Sequence, residues 1–423
     1  MKPCAFLLAL GVLGAALTTA ALPDDWPTWR GPSRDGHCRE TGLLAEWPPE
    51  GPPLAWKATG LGVGYSGPAV VGNVLYTMGN VARKETVLAV STENGELLWS
   101  VPFGPVEYDY YAPGTRATPT IDGGRLYAQG ASGQLACIDL ATRRILWSRN
   151  FVNDFGGTVP KWGFAESPLV DGDWLVSMPG GPRASVAALD KLTGKTVWAA
   201  PLGDLASYSS LVAATIGGVK QYVGFSADSV LGVDARDGTL LWRYTEPDHT
   251  DDWGDVNVMT PVVSEGTVYA SSNYETGGGK ARIVKTSDGF TAEQVFFNND
   301  LENHHGGVVL VDGYLYGCDE PGLLTCMDHA TGEVRWQARK PGKCSVLYAE
   351  GRLYCRDEKG PVSLVEATPE EFRLRGHFKQ PDRSKQRAWP HPVIAHGRLY
   401  IRDQDVILCY NVRAEAEEES DEE

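Results

Sequence analysis

Ala187-Ala-Leu-Asp-Lys-Leu-Thr-Gly-Lys-Thr-Val-Trp198 is the clearest copy of a unit that recurs along the chain. An apolar run ends in Asp190, turns through Thr193-Gly194 and climbs back to Trp198. This reads as a β-hairpin, because Gly supplies the positive φ of the turn and alternating Val and Trp suit the returning strand. Cys137 to Trp147, Gly232 to Trp242 and Cys326 to Trp336 repeat the unit around Asp139, Asp234 and Asp328, and Ala89 to Trp99 repeats it with Ser91 in the Asp position. One Trp can bury about 150 to 250 Å². At about 25 cal/mol per Å² that is several kcal/mol, gross, so the Trp column predicts wedges between one unit and the next.

A second element precedes the first and occurs eight times: an apolar strand, a Gly turn and a short strand that often carries Tyr. Its copies begin at Gly72, Gly123, Gly172, Gly217, Gly266, Gly313, Gly351 and Gly397. The period is about 46 residues, and four short strands per period is the signature of a propeller, whereas a β-solenoid needs shorter coils. The predicted fold is all-β: an eight-bladed β-propeller of four-stranded antiparallel blades over residues 54–412. Leu54-Ala-Trp56-Lys57 looks like the last strand of a repeat with no repeat before it, and the eighth unit stops at Leu408-Cys-Tyr-Asn411 without its Trp strand. The two fragments complete each other, so the N-terminal strand is predicted to close the ring and remove its open edges.

The flanks read differently. Lys2, an apolar run from Ala5 to Leu17 and small residues to Ala21 read as a signal peptide over 1–21, too short to span a membrane. The expected destination is export, to the periplasm or the extracellular space, with no membrane span. Residues 22–53 hold Trp26, Trp29 and Trp47 with neither strand period, which suggests an ordered but irregular arm. Residues 413–423 carry seven acids and read as a disordered solvated tail. The net charge of −16 and the absence of a basic run argue against nucleic acid as a partner.

Cys137, Cys326 and Cys409 share a repeat column that elsewhere holds Ala89, Ala188 and Gly232, so they read as packed thiols. Cys344 with Cys355, or Cys318 with Cys326, could form a cross-strand bridge. No CxxCH run is present for covalent haem. Gly277-Gly-Gly-Lys280 lacks the first Gly of a phosphate loop and reads as a hairpin tip. His304 and His305 alternate along a strand, so they are expected on opposite faces and unable to share a metal. Asp248, Asp251, Asp252 and Asp255 read as a solvated acidic loop, their spacing fitting no calcium loop.

The remaining candidates come from the repeat. In a propeller the innermost strand of each blade lines the central channel, and the loops entering these strands open on one face. Aligned at those entries, one column reads Tyr65, Arg116, Ala165, Tyr208, Val258, His304, Lys343 and Trp389; with the neighbouring polar residues Glu166 and Asn257 taken at the third and fifth entries, it offers a polar and aromatic funnel suited to a protein, glycan or small-molecule ligand. The residue type is not repeated there, unlike the Trp column. Arg116 and Lys343 set against Glu166 would make the mouth less negative than the surface around it.

The run Ala-x-Asp-x-x-Thr-Gly-x-x-x-Trp resembles the repeat of pyrroloquinoline-quinone (PQQ) β-propellers, a group with quinoprotein alcohol dehydrogenases and the propeller lipoprotein of outer-membrane β-barrel assembly. Trp26-Pro-Thr-Trp-Arg30-Gly-Pro and Trp389-Pro-His-Pro resemble a planctomycete-type exported branch of that group. The dehydrogenase resemblance implies PQQ and calcium, with a third-blade Gly-Gly-Ala-Glu run, an adjacent Cys pair and a catalytic Asp. This chain has Gly180-Gly-Pro-Arg183 and no adjacent Cys pair. Asp255 lies in a region compatible with the Asp, and Arg116 matches the quinone-side Arg by blade alone. These departures favour an exported, non-catalytic binding or scaffold propeller without cofactor or metal. The alternative is a PQQ- and calcium-dependent quinoprotein oxidoreductase acting on an alcohol or sugar.

Overall fold

A computed structural model describes residues 24–106, 113–245 and 256–414. The chain forms eight antiparallel four-stranded sheets around one axis, each running from the innermost strand outward, and blade 7 carries a fifth strand. Blades 1 to 8 have as innermost strands Ala69–Val71, Thr120–Asp122, Leu169–Asp171, Val212–Ile216, Val262–Ser264, Asn303–Val311, Cys344–Ala349 and Val393–Ala395. The ring closes as the sequence predicts. Leu54–Ala58 pairs antiparallel with Val406–Asn411, placing Trp56 opposite Cys409 as the outermost strand of blade 8. Among the described residues no helix is long and apolar enough to cross a membrane.

The recurring hairpin explains its own composition. Asp190 Oδ1 accepts from the Leu192 and Thr193 amides and from Thr193 Oγ1, holding the turn shut, and Asp139 does the same for Thr142. Gly194, at φ 69°, is then required twice. Besides the left-handed backbone, a Cβ there would lie 2.7 Å from the Trp147 ring of the preceding blade. Gly238 meets Trp198 and Gly95 meets Trp56 in the same way. Four of the wedges also donate a hydrogen bond forward: the indoles of Trp56, Trp147, Trp198 and Trp336 reach the carbonyls of Thr92, Lys191, Ala235 and Thr368.

The column is not uniform. Trp242 donates instead to Gln221 Oε1 within its own blade. Blade 5 has Phe296 in the Trp position, and Lys280 Nζ, donating to His329 O at 2.6 Å, makes the forward bond in place of an indole. In blade 7 the position is Gly376, opposite Leu364, and Trp47 of the arm supplies the missing ring. It packs edge-on against Tyr354 and Phe378.

The arm is a hairpin plug inserted in the channel from the face of the Gly turns. Asp25 accepts from the Gly72 amide and from His396. Trp26 bridges Val70 of blade 1, and Thr28 meets Thr120 of blade 2. The tip then reverses: Arg34 donates to the Ser167 and Pro168 carbonyls of blade 3, Arg30 to Val308 O of blade 6, and His37–Cys38 pairs parallel with blade 7. From there the chain crosses the lower face, with Gly42 and Leu43 bonded to Glu350, before becoming the closing strand.

The cysteines correct one expectation. Cys318 and Cys344 form a disulfide that ties blade 6 to blade 7, while Cys326 and Cys355 are free and buried. Both cross-strand pairings assumed a hairpin partner, whereas the bond crosses between blades. Cys137, Cys326 and Cys409 are buried thiols facing the Trp column. The signal-peptide reading, Asp248, Asp251, Asp252, Asp255 and nearly all of the acidic tail lie outside the described residues.

Candidate functional site

On the face of the strand entries the channel widens into a cavity of about 470 Å³, and the tip of the plug forms its floor. Of the funnel residues expected from sequence, Tyr65, Arg116, Tyr208, His304 and Trp389 line it together. Tyr65 packs on Trp389 with ring centroids 5.0 Å apart, and His304 and His305 both lie edge-on or tilted against the same indole. Across the cavity Trp162 packs on Tyr208 at 5.7 Å, with Lys161 Nζ 4.9 Å from the Trp162 ring. Trp29, at the plug tip, packs at a tilt against His391 with centroids 4.5 Å apart and is fixed by its indole donating to Thr260 Oγ1.

Three expected residues are placed elsewhere. Glu166 is only 2% exposed and sits below the mouth, its Oε2 accepting from the Met178 amide. Asn257 is fully buried and holds the Ser226 and Ala227 carbonyls with its amide. Both occupy the position beside a lining residue, Ala165 or Val258, and alternation along the chain turns them away from the cavity. Lys343 pairs with Glu320 and lines a separate cavity of about 480 Å³ between blades 6 and 7. The charge balance expected from Arg116, Lys343 and Glu166 therefore does not exist at the mouth; the cations there are Arg116 and Lys161.

The His pair is also corrected. Strand pairing is interrupted between Asn303 and Val308, so simple alternation fails and both imidazoles line the cavity, their Nδ1 atoms 3.2 Å apart. Burial holds them and His391 neutral. His304 and His391 are lowered to about 3, with Lys343 adding to the effect on His304 and Arg30 on His391, and His305 is driven well below its ordinary value. His391 Nε2 lies 2.9 Å from His305 O, which locks the floor to the wall. Sequence reasoning missed Trp29, Lys161, Trp162, Tyr274 and His391. Trp29 and His391 lie in the Trp-Pro-Thr-Trp and Trp-Pro-His-Pro motifs, the one signal that pointed to them.

The described lining is thus a blind, largely aromatic cup with two cations and three neutral imidazoles. It contains no Asp, Glu, Asn or Gln side chain, and no cluster of three or more metal-ligating side chains occurs among the described residues. Those residues do not fit calcium, although the rings and cations would suit a planar anion. Arg183, in the position of the dehydrogenase metal ligand, instead donates to the Asn153 and Asp154 carbonyls of a five-residue helix, Phe151–Phe155.

The family model described as outer membrane protein assembly factor BamB matches residues 83–338 and 282–371. BamB of Shewanella oneidensis is 24% identical over 290 residues, covering 64% of this chain and 68% of that protein. Among solved structures, BamB from Moraxella catarrhalis superposes with a TM-score of 0.56 at 14% identity, covering 79% of this chain and 95% of the other. The quinohemoprotein alcohol dehydrogenase ADHIIG from Pseudomonas putida gives 0.64 at 13%, covering 93% and 81%. At such identities these two superpositions carry the fold alone.

Proposed function

The chain belongs to the family described as outer membrane protein assembly factor BamB, and from that premise we propose that it is an exported scaffold whose cup captures an extended segment of a client protein. One observation carries this reading: the aromatic cavity is sealed below by the chain's own plug, so it can hold a side chain or short segment but cannot pass one through. Rings held on eight rigid blades lose little freedom on binding and bury much apolar area. Arg116 and Lys161 would accept acidic positions flanking that segment, and neutral imidazoles leave the cup floor uncharged at pH 7. The family description points to outer membrane proteins as the client class. The oxidoreductase reading is not adopted, because the described lining offers calcium no carboxylate or amide side chain.

The test is binding of an unfolded outer-membrane β-barrel protein to the parent and to Trp389→Ala and Tyr208→Ala, read by fluorescence anisotropy. Loss of a stacked aromatic anchor should weaken capture by about tenfold or more. Capture equal to the parent's in both variants would exclude the cup as the docking site.

A further inference from the structure

Below the plug tip lies a second cavity, of about 220 Å³, between the arm and blades 4 and 5. It exists because the plug is lopsided: among the described residues the arm hydrogen-bonds the channel side of blades 1, 2, 3, 5, 6 and 7, but makes no bond to Val212–Ile216 of blade 4. Two arginines line this gap, Arg30 and Arg34, each only 4% exposed. Their hydrogen bonds go to carbonyl oxygens: Asp35 and Val308 for Arg30, Ser167 and Pro168 for Arg34. Arg30 Nε and Nη1 and Arg34 Nε are buried without a hydrogen-bond partner.

Buried charges are normally paired, because a carbonyl dipole does not neutralise a cation taken out of water. The nearby carboxylates do not fill that role. Asp35 Oδ1 and Oδ2 are taken by the His37 amide and by Arg39. Glu166 gives one oxygen to Met178, and burial pushes its carboxyl up against the pull of Arg34, so it favours the charged form less than an exposed carboxylate would. Burial also lowers both guanidinium groups to about 10, which leaves them charged. Asp35 itself lines the cavity with His37, the hydroxyl-bearing residues Ser33, Thr260 and Ser264 supply further donors, and apolar side chains of blades 4, 5 and 6 form the rest of the wall.

We infer that this channel cavity is a binding site for a small oxyanion, a phosphate or a carboxylate, held between Arg30 and Arg34 on the side of the plug away from the cup. A planar fork of N–H donors suits either oxyanion. Its volume admits a group larger than inorganic phosphate but no macromolecule.

The probe is inorganic phosphate, titrated into the whole chain at pH 7 with ionic strength held constant by sodium chloride, followed by calorimetry and by Tm. A saturable heat and a saturable rise in Tm are expected with phosphate and not with chloride. Arg34→Met should weaken phosphate by about tenfold or more, the worth of a hydrogen bond to a charged group. Ala214→Asp, placing a carboxylate in the gap, should raise Tm without phosphate and remove the phosphate response, which keeps the test decisive if Arg34→Met does not fold. A parallel titration with succinate separates carboxylate from tetrahedral preference. Equal responses to phosphate and chloride, no response to either oxyanion, or an undiminished response in Ala214→Asp would overturn the site, leaving an adventitious ion only. Client capture is measured separately, so failure here leaves the cup untouched.

Discussion

At the scale of single residues, the turn glycines carry more than their conformation. Gly124, at φ 80° with nothing within 4 Å of a built Cβ, isolates the backbone cost of a left-handed residue. Gly194 adds contact with Trp147. Gly124→Ala should therefore cost about 1 kcal/mol, and Gly194→Ala about 1 to 3 kcal/mol more, since the ring must move. Denaturant midpoints compare the two, and equal costs would mean that the Trp–Gly contact adds nothing. The neutral imidazoles give a second residue-level expectation. His304 and His391 have folded values near 3 against 6.5 in the free side chain, so their stabilising contribution is complete above pH 6.5 and is lost as pH falls toward 3. Glu166 runs the other way: raised from 4.5 to about 8, it contributes fully below 4.5 and loses that contribution as pH rises to 8. Three buried His outweigh one Glu, so Tm should fall between pH 6.5 and 5. His391→Gln should flatten that slope, and an unchanged slope would remove His391 from the account.

At the scale of elements, the Trp hairpins were legible because they are periodic, and Trp47 was not because it fills a repeat position from outside the repeat. A Cβ on Gly376 would lie 2.6 Å from Trp47 Cβ, so the arm residue occupies the space that blade 7 leaves empty. Blade 7 also carries Leu364 where the Trp-bearing blades place Ala, Cys or Gly beneath the ring. Trp47→Ala should cost about 3 to 5 kcal/mol, as for other buried aromatic deletions. Restoring the ring within the blade, by combining Trp47→Gly with Gly376→Trp and Leu364→Ala, should recover most of that loss. No recovery in thermal unfolding would show that Trp47 does more than fill the column. The same physics separates what sequence disclosed of the cup. Tyr65, Tyr208 and Trp389 followed from the alignment of strand entries, but a one-residue phase decides whether a side chain faces the cavity. That phase misplaced Glu166 and Asn257, and the irregular pairing after Asn303 hid the common facing of His304 and His305.

At the scale of the whole molecule, residues 24–58 act twice, as the plug of the channel and as the last strand of the ring, and the two roles can be separated. Removing 24–53 while keeping Leu54–Ala58 leaves blade 8 complete but strips hydrogen bonds from the inner strands, including those from Trp26 to Val70 and from Arg30 to Val308. It also removes the floor of the cup, because Trp29 and its contact with His391 leave with the plug. Removing 24–58 additionally exposes the edge of Val406–Asn411 and deletes Trp56, whose ring covers Gly95 of blade 1. Arg402 still ties blade 8 to the Ser66, Leu61 and Gly62 carbonyls around blade 1, so the ring need not spring open at once. The expected order of Tm is therefore parent, then the plug deletion, then the full deletion, and an unpaired edge should make the last associate with itself. Scanning calorimetry and light scattering at several concentrations read both effects. A full deletion that melts with the parent and stays monomeric would show that Leu54–Ala58 only rests against a ring closed by other means.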